Sequence, residues 1–150
     1  MKYDILKLDN QLCFALYACS REVTKHYKPE LDKIGITYTQ YVTLMVLWEK
    51  DNITVKELGT KLRLDSGTLT PLLKKLETKG LVTRIRDSKD ERNVYVSLTE
   101  NGIKLKDKAL EIPKKMSCIP DHSIKELMAL KDEITKLLES FEKIEKAEKS

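Results

Sequence analysis

Residues 64–102, "LDSGTLTPLLKKLETKGLVTRIRDSKDERNVYVSLTENG", hold a helix and a hairpin back to back. Leu69, Leu72, Leu73 and Leu76 recur at spacings of three and four, which makes one apolar stripe of a helix. Asp65 or Ser66 serves as its N-cap and Gly80 closes it. Pro71 conflicts with that helix because it removes one hydrogen bond; either the helix begins nearer Thr70 or it runs strained there. "LVTRIR" and "NVYVSL" are β-type runs on either side of the charged "DSKDER", and they read as a two-stranded hairpin too polar to be buried at its tip. "TENG" then opens another helix, through about Leu110.

Upstream, "TVKE" at 54–57 is a capping box, Thr54 with Glu57, and opens a short helix ending near Leu62. Before it, Thr37 or Thr39 caps a helix through "YVTLMVLWEK", apolar almost all round and therefore the buried centre, with Trp48 as core. Segment 8–28, with no Pro or Gly until Pro29, reads as a long helix with apolar residues on more than one face. Downstream, Pro113 and Pro120 bracket a break or bend. From Ser123 onward the apolar set Ile124, Leu127, Leu130, Ile134, Leu137, Leu138, Phe141 and Ile144 describes a long amphipathic helix that needs a surface to lie on. The fold class is mainly α with a small β-hairpin wing. Short helix, turn, second helix and basic hairpin make a winged helix-turn-helix at about 37–99, flanked by long helices at about 5–34 and 100–146, in a single domain.

Charge distribution agrees. Residues 54–98 hold ten Lys/Arg against six Asp/Glu, while the rest of the chain balances at 18 against 18, so all of the net +4 lies in the central third. No run of apolar residues is long enough to span a membrane, and the N-terminus lacks the blocks of a secretory signal, so the expected compartment is the cytoplasm. Three cysteines without a CxxC pair, and two histidines without ligand spacing, imply neither a disulfide framework nor a structural metal, and no motif implies a cofactor.

On the leucine-striped helix the face opposite the leucines carries Ser66, Thr68, Thr70, Lys74 and Lys75. Hydroxyls can bond base edges or phosphates and lysines neutralise phosphate. The hairpin tip is expected to carry Arg84, Arg86, Lys89 and Arg92, and Arg92 held in aim by Asp90 is the residue expected to reach the minor groove. Any one of these charges taken alone reads first as solvated surface. Their conjunction in the one charge-asymmetric third favours double-stranded DNA as partner.

Cys13 and Cys19 lie on the first helix. A cysteine there is either a small buried hydrophobe or a reactive thiol, and Cys13, in the first turn or two, sits where unpaired N–H groups favour thiolate. Cys19 is six residues on, about 9 Å of rise, beyond the separation of about 7 Å that a disulfide spans, and reads as packing.

Over essentially its whole length the chain resembles the MarR family of winged-helix repressors, with residues 64–102 matching its recognition-helix-and-wing block. "NQLCFALYACSREVTKHYKPELDKIGITYTQYVTLMVLWE" is similar to that family's organic-hydroperoxide-sensing branch. The resemblance implies a homodimer on a palindromic operator, with first and last helices at the dimer interface. It further implies that Cys13 is the peroxide-reactive residue, that Tyr27 and Tyr38 of the partner subunit support its thiolate, and that Cys118 of the other subunit resolves its sulfenic acid. One-cysteine members of the branch use a small external thiol instead. Spacing supplies a check: Cys13 and Tyr27 are about 21 Å apart along one helix yet only about 40° apart around it, so if they meet they do so across a dimer. Competing readings are a MarR-type repressor controlled by a phenolic or amphipathic ligand in a pocket lined by Tyr27 and Tyr38, a thiol peroxidase, which needs a positioned arginine whereas Arg21 is about 12 Å along the helix from Cys13, and a protein-interaction module. The last leaves the basic wing unexplained.

Overall fold

The computed structural model describes residues 1–150. Two compact units divide the chain, Met1–Ile112 and Pro113–Ser150. The first opens with two 3-10 turns, Asp4–Leu6 and Leu8–Asn10. They are followed by α1 (Leu12–Lys33), α2 (Tyr38–Glu49), β1 (Ile53–Thr54), α3 (Val55–Leu62), α4 (Ser66–Thr78), β2 (Val82–Arg86), β3 (Val94–Leu98) and α5 (Glu100–Ala109). The short α6 (Ile112–Met116) leads to α7 (Ile124–Lys149).

Most helix starts follow from side chains that claim first-turn N–H groups. Thr37 and Gln40 form a complete capping box at α2, and Ser123 and Glu126 form another at α7. Asp65 accepts the Thr68 N–H at 2.8 Å and so starts α4 at Ser66. The expected box at α3 is only half made. Thr54 accepts from Glu57 N at 3.1 Å, but the Glu57 carboxylate turns to the Thr54 hydroxyl and leaves the backbone N–H.

Two prolines lie inside helices. α1 runs on through Pro29 to Lys33, and α4 begins ahead of Pro71. The carbonyls left without a donor belong to Lys25 and Gly67, both exposed residues, where solvent can replace the lost bond. The first helix also starts later than the apolar pattern indicated, at Leu12, because residues 4–10 wind as 3-10 turns instead.

The sheet has three strands, in the order β1-β3-β2, all antiparallel. The hairpin pairs Val82 with Leu98 and Arg86 with Val94. The unexpected third strand is two residues long and pairs Ile53 with Val96. Asp51 and Asn52 fasten it: Asp51 Oδ1 accepts the Leu98 N–H at 2.9 Å and Asn52 Oδ1 accepts the Ser97 hydroxyl at 2.9 Å.

One core gathers Leu44 and Leu47 of α2, Leu58 of α3, Leu69, Leu73 and Leu76 of α4, and Val82 and Val96 of the sheet, all nearly inaccessible. Trp48 is half-buried at its edge, with its indole N–H donating to Gly102 O at 2.9 Å. No residue of α7 is buried, and Ile124, Met128, Leu130, Ile134, Phe141 and Ile144 are each at least 41% exposed. α1 buries Leu31 alone.

Candidate functional site

Two groups of side chains carry chemistry. The first is the outer face of α4 with the hairpin. Docking of the four leucines into the core turns Ser66, Thr68, Thr70, Lys74 and Lys75 outward, and all five are exposed. Thr70 spends its hydroxyl proton on Ser66 O at 2.8 Å, which leaves its oxygen as an acceptor. Three residues, Arg63 to Asp65, join α3 to α4, with Arg63 in the left-handed region at φ 54°. The turn is tight because Gly59 lets the backbone close in: a Cβ there would lie 2.9 Å from both Leu64 O and Leu69 Cδ1.

In the hairpin, Arg92 Nε and Nη2 donate to the two carboxylate oxygens of Asp90 at 3.0 and 3.1 Å, and the Arg92 backbone N–H adds a third bond at 3.1 Å. These bonds hold the Asp90 carboxyl below the usual carboxylate range and the guanidinium above its own. The Arg92 side chain is 90% exposed, so it is oriented without being packed. Arg84 and Arg86 stand on β2 and not at the tip where the sequence put them. Arg84 turns to Glu77 of α4, and Arg86 donates to Glu91 O. Lys89 is at the exposed tip, its backbone N–H on Asp87 Oδ1 at 3.0 Å.

The second group is the thiols and tyrosines. Cys13 is the second residue of α1, and no side chain caps that end, so the first-turn N–H groups around it are unclaimed by protein side chains. The Asn10 and Gln11 that precede it act as braces. Asn10 Nδ2 donates to Asp4 O at 2.8 Å, and Gln11 Nε2 donates to Ile5 O at 2.7 Å and Lys7 O at 2.9 Å. All three cysteines are exposed in the chain. The expected packing of Cys19 is therefore not found within it. Cys118, after α6, places its Sγ 3.7 Å from Lys114 O. Arg21 lies over the Tyr17 ring, 4.7 Å from its centroid.

Tyr27 on α1 and Tyr38 on α2 meet with ring centroids 5.1 Å apart. Tyr27 is on the same unbroken helix as Cys13, fourteen positions along, about 21 Å of rise. Its own chain's Cys13 is out of reach. Burial, and then repulsion from an ionised Tyr38, push the Tyr27 hydroxyl above its ordinary pKa, so it remains a proton donor at neutral pH. A cleft of about 340 Å³ lies alongside, lined by Lys25, Lys28, Leu31, Ile36 and Tyr38 among others. Tyr27 does not line it, so this cleft lacks one of the two tyrosines that the ligand-sensor reading required.

Two residues that sequence reasoning passed over belong to this region. Tyr41, 3% exposed, touches both tyrosine rings. Lys79, at the end of α4, donates to Gly35 O at 2.7 Å and Gln40 Oε1 at 2.8 Å, and so ties the recognition-type helix to the α1–α2 corner. The spacing of Tyr38 and Tyr41 at i and i+3 was a visible signal for the first. Nothing local signals the second.

Comparison with known proteins identifies the family. A family model described as transcriptional regulator SarA/Rot matches residues 25–109. The organic hydroperoxide resistance transcriptional regulator of Bacillus subtilis (strain 168) is 54% identical over 140 residues, 93% of this chain and 95% of the relative. Reduced AbfR bound to DNA superposes with a TM-score of 0.79 at 37% identity, covering 94% of this chain and 99% of that one. The disulfide-formed AbfR superposes at 0.65 with 38% identity, covering 92% and 97%. The chain belongs to the MarR-type winged-helix transcriptional regulators, on their organic hydroperoxide resistance branch, and is a regulator rather than an enzyme.

Proposed function

We propose that this chain is a homodimeric repressor that binds operator DNA when reduced and releases it when an organic hydroperoxide oxidises Cys13. The observation that carries the sensing part is the pairing of Tyr27 of α1 with Tyr38 of α2, at the far end of a helix whose own Cys13 is about 21 Å of rise from Tyr27. A donor pair built for a thiolate that its own chain cannot deliver is completed by a second copy. The exposed apolar residues of α1 and of α7 support the same assembly.

In the proposed chemistry the Cys13 thiolate attacks the outer oxygen of the hydroperoxide. An S–O bond forms, the O–O bond breaks, and the alcohol leaves with a proton; sulfur is oxidised by two electrons and the peroxide reduced by two. The Cys118 thiol of the other subunit then attacks the sulfenic sulfur, an S–S bond forms and water leaves. Relatives isolated reduced on DNA and in a disulfide form support this order of states. Operator contact falls to the exposed face of α4, with Ser66, Thr68, Thr70, Lys74 and Lys75, and to the wing with Arg84, Arg86, Lys89 and the aimed pair Asp90–Arg92. Since half-sites sit about 34 Å apart, a small rotation of each winged unit breaks register without altering any contact residue.

The test is operator binding by fluorescence anisotropy before and after cumene hydroperoxide, then after dithiothreitol. Wild type should lose and regain binding, and Cys13→Ser should bind throughout. Release of the Cys13→Ser protein by peroxide would sink the proposal.

A further inference from the structure

Resting on the redox reading above, we propose that Tyr41 is a positioning residue for the sensing reaction: its buried ring holds Tyr27 and Tyr38 in the arrangement from which their hydroxyls donate to the partner subunit's Cys13. Tyr27 and Tyr38 are half-buried and touch each other at 5.1 Å, a contact that by itself leaves each ring free to pivot about its χ angles. Tyr41 supplies the third contact, from the interior side. Its centroid lies 5.9 Å from Tyr27 and 6.4 Å from Tyr38, which closes a triangle of tilted rings across α1 and α2. Tyr41 is itself backed by Trp48, edge-on at 6.5 Å, and that indole is fixed by its hydrogen bond to Gly102 O.

The reasoning is one of preorganisation. A hydroxyl stabilises a thiolate only when held in a narrow range of orientation, and a ring that swings spends little time there. Tyr41 meets both members of the pair ring against ring, so the positioning is assigned to its aromatic ring and not to its hydroxyl.

The experiment uses the full-length reduced dimer in a Cys19→Ser, Cys118→Ser background, where Cys13 is the single thiol. Its rate of alkylation by iodoacetamide is followed against pH, with operator affinity as the control for folding. Tyr41→Leu and Tyr41→Met should raise the titration midpoint of Cys13 by about one pH unit. Operator affinity should stay within about threefold. Tyr41→Phe should titrate with wild type. An unchanged midpoint in a DNA-binding Leu or Met variant overturns the inference, as does a Phe variant displaced as far as Leu. Tyr27→Phe and Tyr38→Phe separate the two levels: if they leave the midpoint unmoved, the tyrosine-supported thiolate itself is wrong, whereas a shift in these two without one at Tyr41→Leu removes only Tyr41. Should neither truncation fold, the χ1 rotamer populations of Tyr27 and Tyr38 in the wild type decide by NMR couplings: a single rotamer at both supports the inference, and averaging over rotamers at both overturns it.

Discussion

At the scale of single residues, exposure decides what a contact is for. The Asp90–Arg92 pair is solvated, so it adds little to stability; its bidentate geometry sets the direction of a long flexible side chain. Arg92→Ala should therefore weaken operator binding by about tenfold while leaving the melting temperature in place, and Asp90→Ala should show a smaller loss of the same kind, read by anisotropy and thermal unfolding. The pH dependence has a definite sign. Because Asp90 titrates below its ordinary value, the pair persists above the unfolded pKa of about 3.9 and fails only as pH falls through the still lower folded value. Operator binding from pH 5 to 8 should accordingly show no step from the wing. Tyr27 and Tyr41 behave oppositely. Their hydroxyls titrate above about 10, so their contribution to stability is intact below that pH and is lost as pH rises beyond it, which an alkaline unfolding series would reveal. For the thiols, peroxide-treated wild type should run as a covalent dimer on a non-reducing gel and Cys118→Ser as a monomer; a dimer band in the mutant would remove Cys118 as the resolving residue.

Between elements, two glycines allow close backbone approach. A Cβ on Gly102 would sit 2.2 Å from Leu81 O, and one on Gly59 would press on Leu64 O and Leu69 Cδ1 at 2.9 Å. Both obstacles include backbone, which cannot swing aside. Gly59→Ala should cost about 1–3 kcal/mol in denaturant unfolding and Gly102→Ala at least as much, with helix-turn-helix geometry failing first in the former. Elements written in adjacent residues were legible beforehand: the Asp65 cap, the leucine stripe, the hairpin and the Ser123 start all depend on neighbours within four positions or on simple alternation. What escaped depends on distant partners. Strand β1 is two residues of "NIT" and exists because Asp51 and Asn52 find Leu98 and Ser97, 47 and 45 positions away. Lys79 reads as one more surface lysine until Gly35, 44 residues back, turns its carbonyl towards it. The sequence leaves open whether α4 begins ahead of Pro71, since that depends on where the abandoned carbonyl points. Of the proposed site, the Cys13 motif and the tyrosines were readable by resemblance, whereas the third ring required the packing of α1 on α2.

For the whole molecule, the concentration of positive charge in residues 54–98 predicts that operator affinity is strongly salt-dependent. Raising salt from about 50 to 200 mM should weaken it at least about a hundredfold, measured as the slope of log affinity against log salt. The proposed dimer makes a separate demand on stability: a folded state that exists only when two chains meet has a melting temperature that rises with protein concentration, checked by calorimetry over a dilution series. A 26-residue helix without one buried residue adds a consequence in time. If α7 is covered only by its twin, subunits part no faster than they unfold, and an oxidised chain cannot trade its partner for a fresh one. The record of an oxidative episode would then be carried by each pair until a reductant erases it, and isotope-labelled and unlabelled protein mixed together should stay segregated by mass over many repressor-binding lifetimes.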